Sequence, residues 1–156
     1  MKNDITIKNS SMDVYDYCEK NGISLAKIEE NEFVAVPASY EQGHFFAQET
    51  IDFLKFCREN DSNHKYDILS DGDITVRSLH SFDIWMPIIF IAQSVLLPFA
   101  INMVSNYIWE KMKGRETENA EVDMTFIVKN GFQFQEMKFT RNLSFFFHLQ
   151  ELKNQL

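Results

Sequence analysis

The chain has 156 residues, 45% of them hydrophobic and 14% aromatic, with 23 acids against 15 bases and a net charge of −8. That length suits one domain with a buried core, and the apolar content excludes general disorder. The acidic balance is repelled by phosphate backbones, which removes nucleic acid as the default partner.

In chain order, "MKNDITIKNSS" has no apolar core of the kind a secretory signal needs. "SSMDVYDYCEKNG" reads as a short helix, capped by Ser10 or Ser11 and left through Gly22. "ISLAKIEENEFVAVP" reads as two short strands about an acidic turn near Glu30 and Asn31, ended by Pro37. "SYEQGHFFAQETIDFLKFCREN" reads as a helix. Its start carries the S-x-x-Q pattern of Ser39 and Gln42, and Phe46, Thr50, Ile51, Leu54 and Cys57 fall on one face. "YDILSDGDITVRSL" suggests two strands about an Asp71-Gly72 turn.

"IWMPIIFIAQSVLLPFAINMVSNYIW", Ile84 to Trp109, holds no charged side chain. Eighteen or more such residues meet the length criterion for a membrane span, and aromatics stand at both ends. Against a span, Ser94, Asn102, Ser105 and Asn106 form a narrow polar seam on a helix, and Pro98 would kink it. The expectation is therefore a soluble core helix from Asp83 to about Lys113. Next, "VDMTFIVKNGFQFQEMKFT" has two β-rich runs around Asn130-Gly131, the favoured pair for a tight hairpin. "NLSFFFHLQELKNQL" reads as an amphipathic helix with Phe145, Leu149, Leu152 and Leu156 as its apolar stripe.

Chemistry-bearing patterns are few. Cys18 and Cys57 lack CxxC spacing, which points to buried thiols in a reducing, cytoplasmic compartment. The "DGD" at Asp71–Asp73 fails as a calcium loop, because Val76 and Phe82 occupy the sixth and twelfth places. Asp123 with Glu136-Met137-Lys138 resembles the D…ExK core of a metal-dependent nuclease, in which acids hold Mg²⁺ and the lysine polarises water. A two-residue turn at Asn130-Gly131 would instead place Asp123 opposite Lys138 and Thr125 opposite Glu136, as ordinary sheet decoration. Val122, Met124 and Phe126 would then form the core face.

His80 and Asp83, near Arg77, suggest either a polar site or a helix cap made by Ser81 or Asp83. His44, His64 and His148 have no shared metal spacing, the glycines form no phosphate-cradling loop, and no G-x-S-x-G or Cys–His signature appears.

From about Phe82 to Thr140 the chain resembles the small effector-associated constant components encoded beside bacterial conflict and defence systems. The residues that carry the likeness are "FAINMVSNYIWEKMKGR", an apolar helix ending in an aromatic and basic stretch, and the hairpin "VDMTFIVKNGFQFQEMKFT". The resemblance implies a non-enzymatic accessory or adaptor module that accompanies a separate effector, and it transfers no catalytic residue.

The expected protein is one α+β domain over residues 1–156, with a kinked central helix packed by β-hairpins and amphipathic helices. Its expected role is protein–protein interaction in a bacterial defence or toxin–immunity setting, with a basic protein as partner. No catalytic, cofactor-binding or metal-ligating residue is assigned, and no cofactor is expected. A single-span or peripheral membrane protein is the second class. A small metal-dependent nuclease or hydrolase using the hairpin carboxylates is the third.

Overall fold

The computed structural model describes residues 4–10, 13–40, 43–77 and 83–155. Strand β1 (Asp4–Asn9) opens the chain, followed by helices α1 (Val14–Asn21) and α2 (Ala26–Glu29). Three strands come next: β2 (Phe33–Val36), β3 (Ala38–Tyr40) and β4 (Gly43–Ala47). Helix α3 (Thr50–Asn60), β5 (Tyr66–Ile68), β6 (Thr75–Arg77) and β7 (Ile84–Ile91) follow. A 3-10 turn (Ser94–Leu96) leads into α4 (Leu97–Lys111), then β8 (Glu121–Asn130), β9 (Gln133–Asn142) and α5 (Leu143–Asn154).

Six strands form one mixed sheet in the order β1-β9-β8-β7-β2-β5, and β3-β4-β6 form a small second sheet. On one face α3, α4 and α5 pack around Phe126, Ile91, Tyr107, Ile108 and Phe146. On the other, α1 and α2 cover Val34, Phe90 and Ile127. Each of these large side chains contributes about 1.5–3 kcal/mol by leaving water. The class is α+β, as the composition of elements predicts.

The kinked central helix is not there. Ile84–Ile91 is a strand at the middle of the sheet, antiparallel to β2 and parallel to β8. A strand covered on both faces is apolar at nearly every position, so its sequence looks like a buried helix. Pro87 sits where the β7–β8 register slips between Trp85 and Ile88, a bulge in which its missing N–H breaks no ladder bond. Pro98 occupies the first turn of α4, where the amide needs no partner, and causes no kink. The polar seam survives only in part: Asn102 is exposed, whereas Ser105 is buried. Among the described residues no helix is long and apolar enough to cross a membrane.

Elsewhere the structure corrects smaller details. Asp13, not Ser10, caps α1 by accepting from the amides of Tyr15 and Asp16. Ser11 lies outside the described residues. Gly22 ends α1 in the left-handed region at φ 66° as foreseen. The first of the two strands expected before Pro37 is the helix α2. The helix expected from Ser39 starts only at Thr50; Gly43–Ala47 pair with β3 and β6 instead, and Gln42 lies outside the described residues. Thr50, Leu54 and Cys57 do face the core, but Ile51 is exposed. Asp71-Gly72 makes no hairpin, since β5 joins β2 and β6 joins β4.

The β8–β9 hairpin turns one residue further along than expected, which moves every cross-strand partner by two. Asn130 pairs with Gln133, leaving Gly131-Phe132 as the loop, with Gly131 at φ 65°. A shift of two keeps every side chain on its face, so Val122, Met124 and Phe126 are core residues as predicted. In α5 the buried residues are Leu143, Phe146 and Phe147, while Phe145 and Leu152 of the expected stripe are exposed. Leu156 is outside the described residues.

Candidate functional site

Two of the places where described residues gather polar side chains bear on function. The first lies where β7 and β8 begin. Glu121 and Asp123 alternate along β8 and so share a face, and the parallel pairing of Ile84 with Val122 brings Asp83 alongside. The Glu121 amide donates to Asp83 Oδ1 at 3.2 Å. Asp83, Glu121 and Asp123 each offer a carboxylate oxygen within 4.8 Å of the others. Thr140 donates its hydroxyl hydrogen to Asp123 Oδ1 at 2.9 Å. Burial pushes the Asp123 carboxyl above the usual carboxylate range; Thr140 and Lys138 pull it down, Glu121 and Asp83 push it further up, and the net direction is upward. Oxygen-only donors of this kind suit a hard divalent cation such as Ca²⁺ or Mg²⁺.

The D…ExK arrangement does not assemble. Asp123 faces Thr140, Thr125 faces Lys138, and Glu136 faces Ile127. Asp123 and Glu136 therefore stand four positions apart along the ladder, about 13 Å at 3.3 Å per residue. Glu136 pairs with Lys8 at 3.4 Å instead. Asp83 caps no helix, because a strand follows it. His80 and Ser81 lie outside the described residues, and the Arg77 guanidinium stacks 3.9 Å from the Phe45 ring centre.

Asp71 accepts from the Ser24 amide and approaches Lys27 at 3.8 Å, a structural tie rather than a calcium ligand. His64 Nδ1 lies 2.8 Å from Asp61, which also accepts from Tyr66 at 2.6 Å, and its ring packs on Phe99. His148 lies by Glu151 on the surface of α5. Both cysteines are buried and free, in the separate clusters on the two faces. Burial, reinforced by Asp61, pushes the Cys57 thiol up to about 12, so it is inert.

The second place is an open cleft of about 440 Å³ between α2 and the segment that follows β7. Tyr15, Ile28, Ala92 and Leu96 give it apolar walls, while Glu29, Glu30, Glu32 and Lys65 line its polar side. The Tyr15 ring is braced against Phe90 and Phe134 at 6.4 and 6.0 Å. The Lys65 amide donates to the Glu32 carboxylate at 2.9 Å, which fixes that acid at the rim. Val95, beside the lining Leu96, is 76% exposed. Sequence reasoning read "EENE" only as an acidic turn and missed the cleft, whose other wall comes from residues 92–96.

Comparison with protein-family models, curated proteins and solved structures finds no match to this chain.

Proposed function

We propose that the protein is a non-enzymatic adaptor, an accessory component of a bacterial defence or toxin–immunity system, which holds a basic segment of a partner protein in the cleft beside α2. The carrying observation is the pairing of apolar walls with a rim of Glu29, Glu30 and Glu32. Such a cleft accepts a lysine or arginine stem on Tyr15 and Leu96 while a carboxylate meets the charged end. The net charge of −8 adds long-range attraction for a cationic partner.

Fluorescence anisotropy with a labelled Arg/Lys-rich peptide containing one leucine tests this reading. Binding should fall about tenfold or more in the double variant Glu29→Lys with Glu30→Lys. It should persist in the control Glu151→Lys, an equally acidic exposed site on α5. Equal losses in both variants, or no binding by the parent, would remove the cleft from consideration.

A further inference from the structure

Among the described residues, strand β1 ends the large sheet and is bonded to β9 on one side only. The Ser10 amide donates to the Phe134 carbonyl at 2.7 Å and continues the β1–β9 register. Hydrogen-bonded and non-hydrogen-bonded pairs alternate in an antiparallel ladder. Thr6 and Lys8 therefore direct their backbone groups at β9, and Ile5, Ile7 and Asn9 direct theirs outward along the open edge.

The side chains at this edge are unusual for one facing water. Ile5 and Ile7 are 53% and 60% exposed, opposite Phe139 and Met137, which pack against the main core. The apolar face of the sheet thus runs past its last strand. Natural edges are blunted by proline, by bulges or by charged side chains, lysine especially. Here the six residues "DITIKN" contain no proline, their register to β9 is unbroken, and the two charged positions lie on either side of the Ile-Thr-Ile centre.

The segment is also self-complementary. Read antiparallel about Thr6, it sets Ile5 opposite Ile7 of a second copy and position 4, an aspartate, opposite the second copy's Lys8. Ile5 and Ile7 are the residues whose backbone groups point outward, so each such pair exchanges two N–H···O bonds. A two-fold axis through Thr6 repeats the pair. We infer that a second copy of this chain docks antiparallel on β1, centred on Thr6, to join the two six-stranded sheets into one. The isoleucines of both copies then lie on the same face and cover one another. This interface is separate from the cleft beside α2.

Sedimentation equilibrium over a concentration series should show a monomer–dimer equilibrium for the parent protein. Ile7→Pro removes an amide that points to the open edge and leaves the β1–β9 bonds in place, which an edge strand tolerates. It should weaken association about tenfold or more with an unchanged circular dichroism spectrum. Thr6→Cys supplies a check of register that does not depend on the proline variant folding. Cysteines facing each other across the axis should form a disulfide-linked dimer under mild oxidation, and Lys8→Cys, which would face position 4, should not. A parent that stays monomeric, a dimer insensitive to Ile7→Pro, or equal cross-linking by both cysteine variants would overturn the inference.

Discussion

Tyr107, on α4, donates its hydroxyl hydrogen to Glu49 Oε1 at 2.6 Å, tying that helix to the residue just before α3. The ring is 1% exposed and meets Phe53 and Phe56 edge-on, each at 5.4 Å. Tyr107→Phe keeps the packing and removes only the bond to a carboxylate. A loss of about 1.5–2 kcal/mol in denaturant unfolding is expected, within the range for hydrogen bonds to charged groups. An unchanged midpoint would show that water replaces the bond at no cost.

The same bond has an alkaline signature. Burial first, then the Glu49 hydrogen bond, pushes the Tyr107 hydroxyl above its ordinary value of 10.0. Tyr66 is shifted the same way by burial and by Asp61. A raised folded-state value means that the folded protein keeps its proton where the unfolded chain gives it up. Stability from these groups is complete below about pH 10 and declines as the pH rises further. Unfolding followed from pH 9 to 11 should show that decline, with a shallower slope in Tyr107→Phe.

Asp123 is shifted upward too, but the consequence falls at acid pH. Its folded form holds a proton more tightly than the unfolded chain, so its contribution is greatest below the ordinary carboxylate value of 3.8 and is lost as pH rises through the raised value. Asp123→Asn should therefore stabilise the protein at pH 7 by under about 1 kcal/mol, since it removes a half-buried charge whose burial and repulsion solvent partly screens. The gain should vanish near pH 3. Thermal melts of the two proteins at both pH values decide this.

Asp83, Glu121 and Asp123 bring three carboxylates together, and the adaptor reading expects no stoichiometric Mg²⁺ or Mn²⁺ binding there in calorimetric titration of the parent. Binding that Asp123→Asn abolishes would replace the adaptor with a metal-dependent hydrolase.

Gly131 holds the hairpin loop at φ 65°, which a β-branched residue adopts only with strain. Gly131→Val should cost about 1–3 kcal/mol. The urea midpoint measures it, and no shift would mean that the loop relaxes into another turn.

Local signals were legible where their causes are local. A left-handed exit at Gly22, a hairpin near Gly131 and helices at α1 and α5 follow from backbone sterics and amphipathic spacing within a few residues. The alternation along β8 named the core face correctly although the turn lay one residue away, because that moves each partner across the ladder by two and preserves the pleat. Asp83 and Asp123 each drew attention on separate grounds, but Glu121 did not, and nothing local joins the three. Their meeting depends on β7 and β8 lying parallel, a pairing across some thirty intervening residues. The largest difference, strand rather than helix at Ile84–Ile91, has the same origin. An unbroken apolar run has no periodicity to separate the two states. Only the burial of both its faces, between the helices α1 and α2 on one side and α3, α4 and α5 on the other, with β2 and β8 bonded at its edges, made it a strand.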